Sequence, residues 1–186
     1  MTYLKFLAVL AVAHAEALAG DGSRRLVISL RDHKLALIED GRPIKVYPVA
    51  IGKLSTPSPT GTFAVISRVS HPTWFGPHKV VGPGPANPLG TRWMGLSRKG
   101  YGIHGTNAPK SIGKSASHGC IRMRKQDVEE LFELVHVGDE VDLVREPSSE
   151  LARIFEPAES SERNHPAPTS LENSSTADHT ITGGGQ

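Results

Sequence analysis

The 186-residue chain is 38% hydrophobic and 22% charged, the balance of a soluble globular protein with one domain and dispensable ends, and two enzymatic domains would be cramped in it. Aromatics make up only 5%, against 33 glycine and proline residues, which favours a turn-rich, strand-rich core over a helix bundle and argues against stacked-ring platforms for single-stranded nucleic acid. The net charge of +2 hides an asymmetry: Gly20 to Glu146 holds 18 Lys/Arg against 12 Asp/Glu with no dense stripe, so no nucleic-acid partner is expected, while Pro147 to Gln186 holds two against six.

Residues 1–19 read as a secretory signal. Lys5 precedes an apolar stretch from Phe6 to Ala13, followed by small-x-small sites at Ala13-His14-Ala15 and Ala17-Leu18-Ala19. No apolar run reaches the roughly 18 residues of a spanning helix, so an exported protein with no membrane span after cleavage is expected, in the periplasm or cell envelope. Short β-branched runs then follow one another. Leu26 to Leu30, Leu35 to Ile38 and Ile44 to Ile51 read as strands, with Asp40-Gly41 as the hairpin turn between the second and third. Ser55 to Gly61, with its prolines and glycine, excludes regular structure before a strand at Thr62 to Val69. Arg92 to Leu96 and Tyr101 to His104 give further strands, and Phe75 to Gly90 reads as loop.

One helix is expected. Asp127 and Glu130 have capping-box spacing, Val128, Leu131, Phe132 and Val135 share a face, and Gly138 stands where a C-cap belongs. A strand at Glu140 to Val144 closes a mainly β, mostly antiparallel domain over residues 24–146, with one packed helix near its C-terminal end. Residues 147–186 read as a largely disordered acidic tail, in which Leu151, Ile154 and Phe155 could form one docking helical turn.

Chemistry concentrates between Tyr101 and Met123, where His104, His118 and the lone Cys120 stand among glycines. A single cysteine cannot close an intramolecular disulfide, and a free thiol in an exported chain is hazardous unless it is used. A histidine within reach of the sulfur can take its proton and return it to a leaving amine, the chemistry of acyl transfer through a thioester. Gly119 lets the backbone turn so that amide N–H groups face a developing oxyanion, and Arg122 can fork onto a carboxylate. Duller readings compete: Cys120 as a small buried hydrophobe, Arg122 as a solvated charge, or His104, His118 and Cys120 as three zinc ligands, although no fourth ligand stands out. Spacing alone leaves open whether His104 or His118 is the base.

Ile103-His104-Gly105-Thr106 followed by Ser117-His118-Gly119-Cys120-Ile121-Arg122-Met123 closely resembles the catalytic motif of the L,D-transpeptidase family of the YkuD type. The resemblance extends to Tyr47 to Lys53, to Pro59-Thr60-Gly61-Thr62-Phe63, to Asn87-Pro88-Leu89-Gly90 and to the closing helix and strand. It implies a β-sandwich-like domain acting on peptidoglycan stem peptides. Cys120 would release D-alanine from a tetrapeptide stem and pass the acyl group to an amine, on a second stem or on an envelope lipoprotein. The resemblance assigns the base to His104, oriented by the main-chain carbonyl of Gly105, where some members carry serine. It places His118, Gly119 and Ser117 around the oxyanion site, makes Arg122 a substrate-binding residue, and calls for no metal or other cofactor. Hydrolysis by the same machinery, as a carboxypeptidase or endopeptidase, and a non-catalytic wall-binding module are the alternatives.

Overall fold

The computed structural model describes residues 24–155, so the expected signal segment and the tail from residue 156 lie outside the described residues. Twelve strands and two helices are present: β1 Arg24–Ser29, β2 Lys34–Glu39, β3 Arg42–Pro48, β4 Ile51–Gly52, β5 Gly61–Ser70, β6 Trp74–Phe75, β7 Val80–Val81, β8 Arg92–Leu96, β9 Gly102–His104, β10 Ser115–Ser117, β11 Ile121–Arg122, α1 Lys125–Leu134, β12 Glu140–Val144 and α2 Ser149–Phe155. Eight strands form one curled sheet in the order β11-β9-β8-β5-β12-β1-β2-β3, while β10 pairs with β4 and β6 with β7. Within the large sheet β12 runs parallel to β1 and β11 parallel to β9, and the other neighbours are antiparallel.

The expected hairpin is present. Asp40 and Gly41 both have positive φ, at 50° and 73°, the twist that suits a two-residue turn between right-twisted strands. The expected strand Ile44 to Ile51 is broken, because Pro48 brings no N–H to a ladder. After it the chain leaves β2 for the opposite edge of the sheet: Ala50 exchanges 2.9 Å hydrogen bonds in both directions with Arg122 of β11, and β4 pairs with β10. Within the expected loop from Phe75 to Gly90, Trp74–Phe75 and Val80–Val81 pair as a small hairpin.

Helix α1 begins at Lys125 behind Arg124, not at a capping Asp127, which falls in the first turn. Lys125 and Gln126 are good helix formers and extend the element N-terminally. At the other end Gly138 stands beyond the cap, in the turn into β12, and the terminal carbonyls of Phe132 and Leu134 accept from the guanidiniums of Arg68 and Arg24. Basic side chains from two strands thus replace the glycine cap.

The main core joins Leu26, Ile28 and Leu30 of the β1 segment to Leu35, Leu37, Met94, Ile103, Ile121, Val128 and Leu131, beneath α1. A second cluster lies on the opposite face of β1 and β2, where Val27, Ala36 and Ile38 meet Leu151 and Ile154 of α2. The fold therefore continues past Glu146 through a docked second helix. Strands with apolar residues on both faces need a cover on both, and α2 supplies the second.

Candidate active site

The strands β8, β9 and β11 lie side by side, with His104 in register with Trp93 on one flank and Arg122 on the other. Register partners project to the same face, so the three side chains form a row. Trp93 stacks on the imidazole with ring centroids 5.6 Å apart and planes at 28°. Cys120 lies in the bend just before β11, two residues ahead of Arg122. Cys120, His104 and Arg122 line one groove of about 350 Å³, together with Ser117, His118, Lys79 and Trp74.

His104 is 4% exposed, and its Nδ1 lies 2.6 Å from the Gly105 carbonyl oxygen. A carbonyl only accepts, so Nδ1 carries the proton and Nε2 is left with a lone pair. Burial lowers the imidazole pKa to about 4, the positive charge of Arg122 adds to that, and the carbonyls of Gly105 and Leu89 oppose it. The thiol is shifted the other way. Burial pushes Cys120 up, against the Gly102 N–H and the Arg122 charge, which favour thiolate, while the S–H reaches the Gly100 carbonyl at 3.6 Å. At rest the groove thus holds a neutral thiol and a neutral imidazole.

The turn carrying Cys120 is tied down group by group. Ser117, 1% exposed, donates to the Cys120 carbonyl at 2.6 Å and accepts the Gly119 N–H at 3.0 Å. The Gly119 N–H is therefore already engaged, and the donor free to meet an oxyanion is the N–H of Cys120, which has no hydrogen-bond partner among the described residues. Gly119 thus shapes the turn, and its own N–H is taken by Ser117. At φ +112°, with an added Cβ 2.7 Å from the Tyr101 ring, the position requires glycine. His118 is exposed at the groove edge. Among the described residues no three His, Cys, Asp or Glu side chains are gathered as a metal site, so His104, His118 and Cys120 do not form the zinc-ligand trio weighed from spacing.

Sequence reasoning missed three contributors. Trp93 gives no local signal of its stacking on His104. Ser58 stands between two prolines in a segment read only as irregular, yet it is 3% exposed and bonded to Gly119. Asn87, fully buried, donates to the carbonyls of Pro72 and Gly82 and accepts the Leu89 N–H, holding the loop beside the imidazole.

Fold and groove define a mainly β domain built around a thiol and a buried neutral imidazole. The profile of the L,D-transpeptidase catalytic domain, YkuD, matches residues 23–143, and the chain belongs to that family. The Bacillus licheniformis protein named L,D-transpeptidase YkuD is 42% identical over 119 residues, covering 64% of each chain. Escherichia coli YbiS is 36% identical over 138 residues, 66% of this chain and 45% of that one. The chain thus spans less than two thirds of the length of either relative. Among solved structures, Ldtfm as its avibactam carbamoyl enzyme superposes with a TM-score of 0.58 at 26% identity, over 67% of this chain and 50% of that one. The NMR structure of the catalytic domain of the Enterococcus faecium L,D-transpeptidase gives 0.55 at 25% identity, over 66% and 98%.

Proposed function

We propose that the protein is an exported L,D-transpeptidase of the cell envelope that uses Cys120 as nucleophile and His104 as base on a peptidoglycan tetrapeptide stem. One observation carries this reading: the buried His104, whose Nδ1 proton is held by the Gly105 carbonyl so that Nε2 keeps its lone pair, lines the same groove as the only thiol of the chain. The sulfur attacks the carbonyl between the third residue, typically meso-diaminopimelate, and the terminal D-alanine, and its proton passes to Nε2. The C–N bond breaks, His104 returns the proton to the departing amine, and a thioester remains. An acceptor amine then attacks the thioester, losing its proton to His104, which restores the thiol. The acceptor is the amine of a second stem or of an envelope lipoprotein. Arg122 faces substrate carboxylates, and no acidic side chain lines the groove to oppose it. The leader at residues 1–19 and the basic surplus of the body support export and an anionic wall substrate.

Incubation of the protein with a tetrapeptide stem is expected to release D-alanine, to leave a mass adduct on Cys120, and to yield a cross-linked product. Cys120→Ala is expected to abolish all three, and full activity in that variant would end the proposal. Tripeptide and D-alanine with no cross-linked product would assign the hydrolytic alternative. Unaltered peptide with retained wall binding would assign the non-catalytic one.

A further inference from the structure

The Ser58 hydroxyl is buried and has two partners: it accepts the Gly52 N–H at 2.9 Å and donates to the Gly119 carbonyl at 2.8 Å. A hydroxyl has one proton, and here the Gly119 carbonyl takes it. That carbonyl belongs to the same peptide unit as the Cys120 N–H, and in a planar trans peptide the two point in opposite directions. Tying the carbonyl down into the protein therefore fixes where the N–H of the nucleophile points, away from Ser58. That N–H is the one found free in the turn.

Around Ser58 little can move. Pro57 and Pro59 flank it, and a Cβ on Gly52 would lie 2.3 Å from the Thr56 oxygen and 2.4 Å from the Ser58 nitrogen, so the two backbones are in contact. The Ser117 carbonyl accepts both the Lys53 N–H, at 3.1 Å, and the Thr56 hydroxyl, at 3.2 Å, tying the same segment to the start of the nucleophile turn.

We infer that Ser58 is a positioning residue that orients the Cys120 N–H as oxyanion donor by holding the Gly119 carbonyl. The inference deepens the acyl-transfer reading and rests on it. Ser58 touches neither sulfur nor imidazole, so its loss is felt where an oxyanion forms and not where the thiol only has to react. Two reagents separate these cases on the full chain. p-Nitrophenyl acetate acylates a thiol through a tetrahedral oxyanion and expels p-nitrophenolate, the thiol proton passing to His104. Iodoacetamide alkylates by direct displacement and forms no oxyanion.

In Ser58→Ala the acylation rate constant is expected to fall about 10- to 100-fold. Alkylation should stay within about twofold, and the loss on a stem peptide should appear in kcat and not in KM. Equal loss in both reagents, whether from a displaced thiol or a poorly folded turn, or no loss in either, would overturn the assignment. D-Alanine release from the stem, measured in parallel on the unmutated chain, tests the substrate reading separately. Its absence with the ester and alkylation split intact removes the stem peptide as substrate and keeps Ser58 in place.

Discussion

The two walls of the groove are built differently. On one side, Ser117 to Met123 is anchored at several backbone groups, by the Ser117 hydroxyl, by Ser58, by the Ala50 bridge and by the His104 carbonyl, which accepts the Met123 N–H at 2.9 Å. On the other, the hairpin from Trp74 to Val81 rests on two-residue strands, with Phe75 77% and Val80 63% exposed, and is tethered at its base by Asn87. The pinned wall carries Cys120 and Arg122 next to His104 of β9, and the lightly held hairpin offers Trp74 and Lys79 to whatever enters. Chemistry tolerates errors of a fraction of an ångström poorly, whereas recognition gains from adaptability, so rigidity and exposure are divided accordingly.

Substitutions on the pinned wall should then cost rate, and those on the hairpin should cost affinity. His104→Gln, which keeps a donor for the Gly105 carbonyl but removes the base, is expected to slow acyl transfer about 10²- to 10⁴-fold in single-turnover assays. An unchanged rate would move the base to His118. Gly119→Ala places a Cβ against Tyr101 at a strained φ, and denaturant melts should show a loss of roughly 2–3 kcal/mol with kcat falling about 100-fold. A silent variant would mean the turn is looser than its hydrogen bonds indicate.

Titration probes the same wall. Because the His104 pKa is lowered to about 4, the imidazole is a competent base throughout the range above it, so acylation should show no inflection near pH 6.5 and should fall only as pH approaches 4. Between about 6.5 and 4 the unfolded chain binds the extra proton, so stability declines as pH falls through that window, by about 3 kcal/mol in all. Urea midpoints against pH should lose this component in His104→Gln. The smallest effect is expected across the groove, where Lys79→Met should raise KM for a stem peptide about 3- to 10-fold with kcat unchanged, and less so at high salt. A fall in kcat instead would erase the division between the walls.

The large sheet was readable in the chain because alternation, β-branched runs and an Asp-Gly turn are local signals, as Leu26 to Leu30 and Asp40-Gly41 illustrate. The limits of α1 were not, since its C-terminal carbonyls are capped by Arg24 and Arg68 from distant strands and its true start lies before the residue that looked like a cap. The docking of α2 left a trace: Leu35-Ala36-Leu37-Ile38 is apolar at consecutive positions, the pattern of a strand covered on both faces. In the site, the proposed nucleophile and base announce themselves by residue type, as Cys120 and His104 do. Ser58 and Trp93 do not, because a bridging hydroxyl or a stacking ring acquires its part only when strands far apart in sequence come into register.

A thiol that burial holds toward its protonated form is also a poorer target for peroxide, because oxidation to sulfenic acid proceeds through thiolate. The burial that raises the Cys120 thiol pKa thus slows chemical damage to the sole cysteine of the chain.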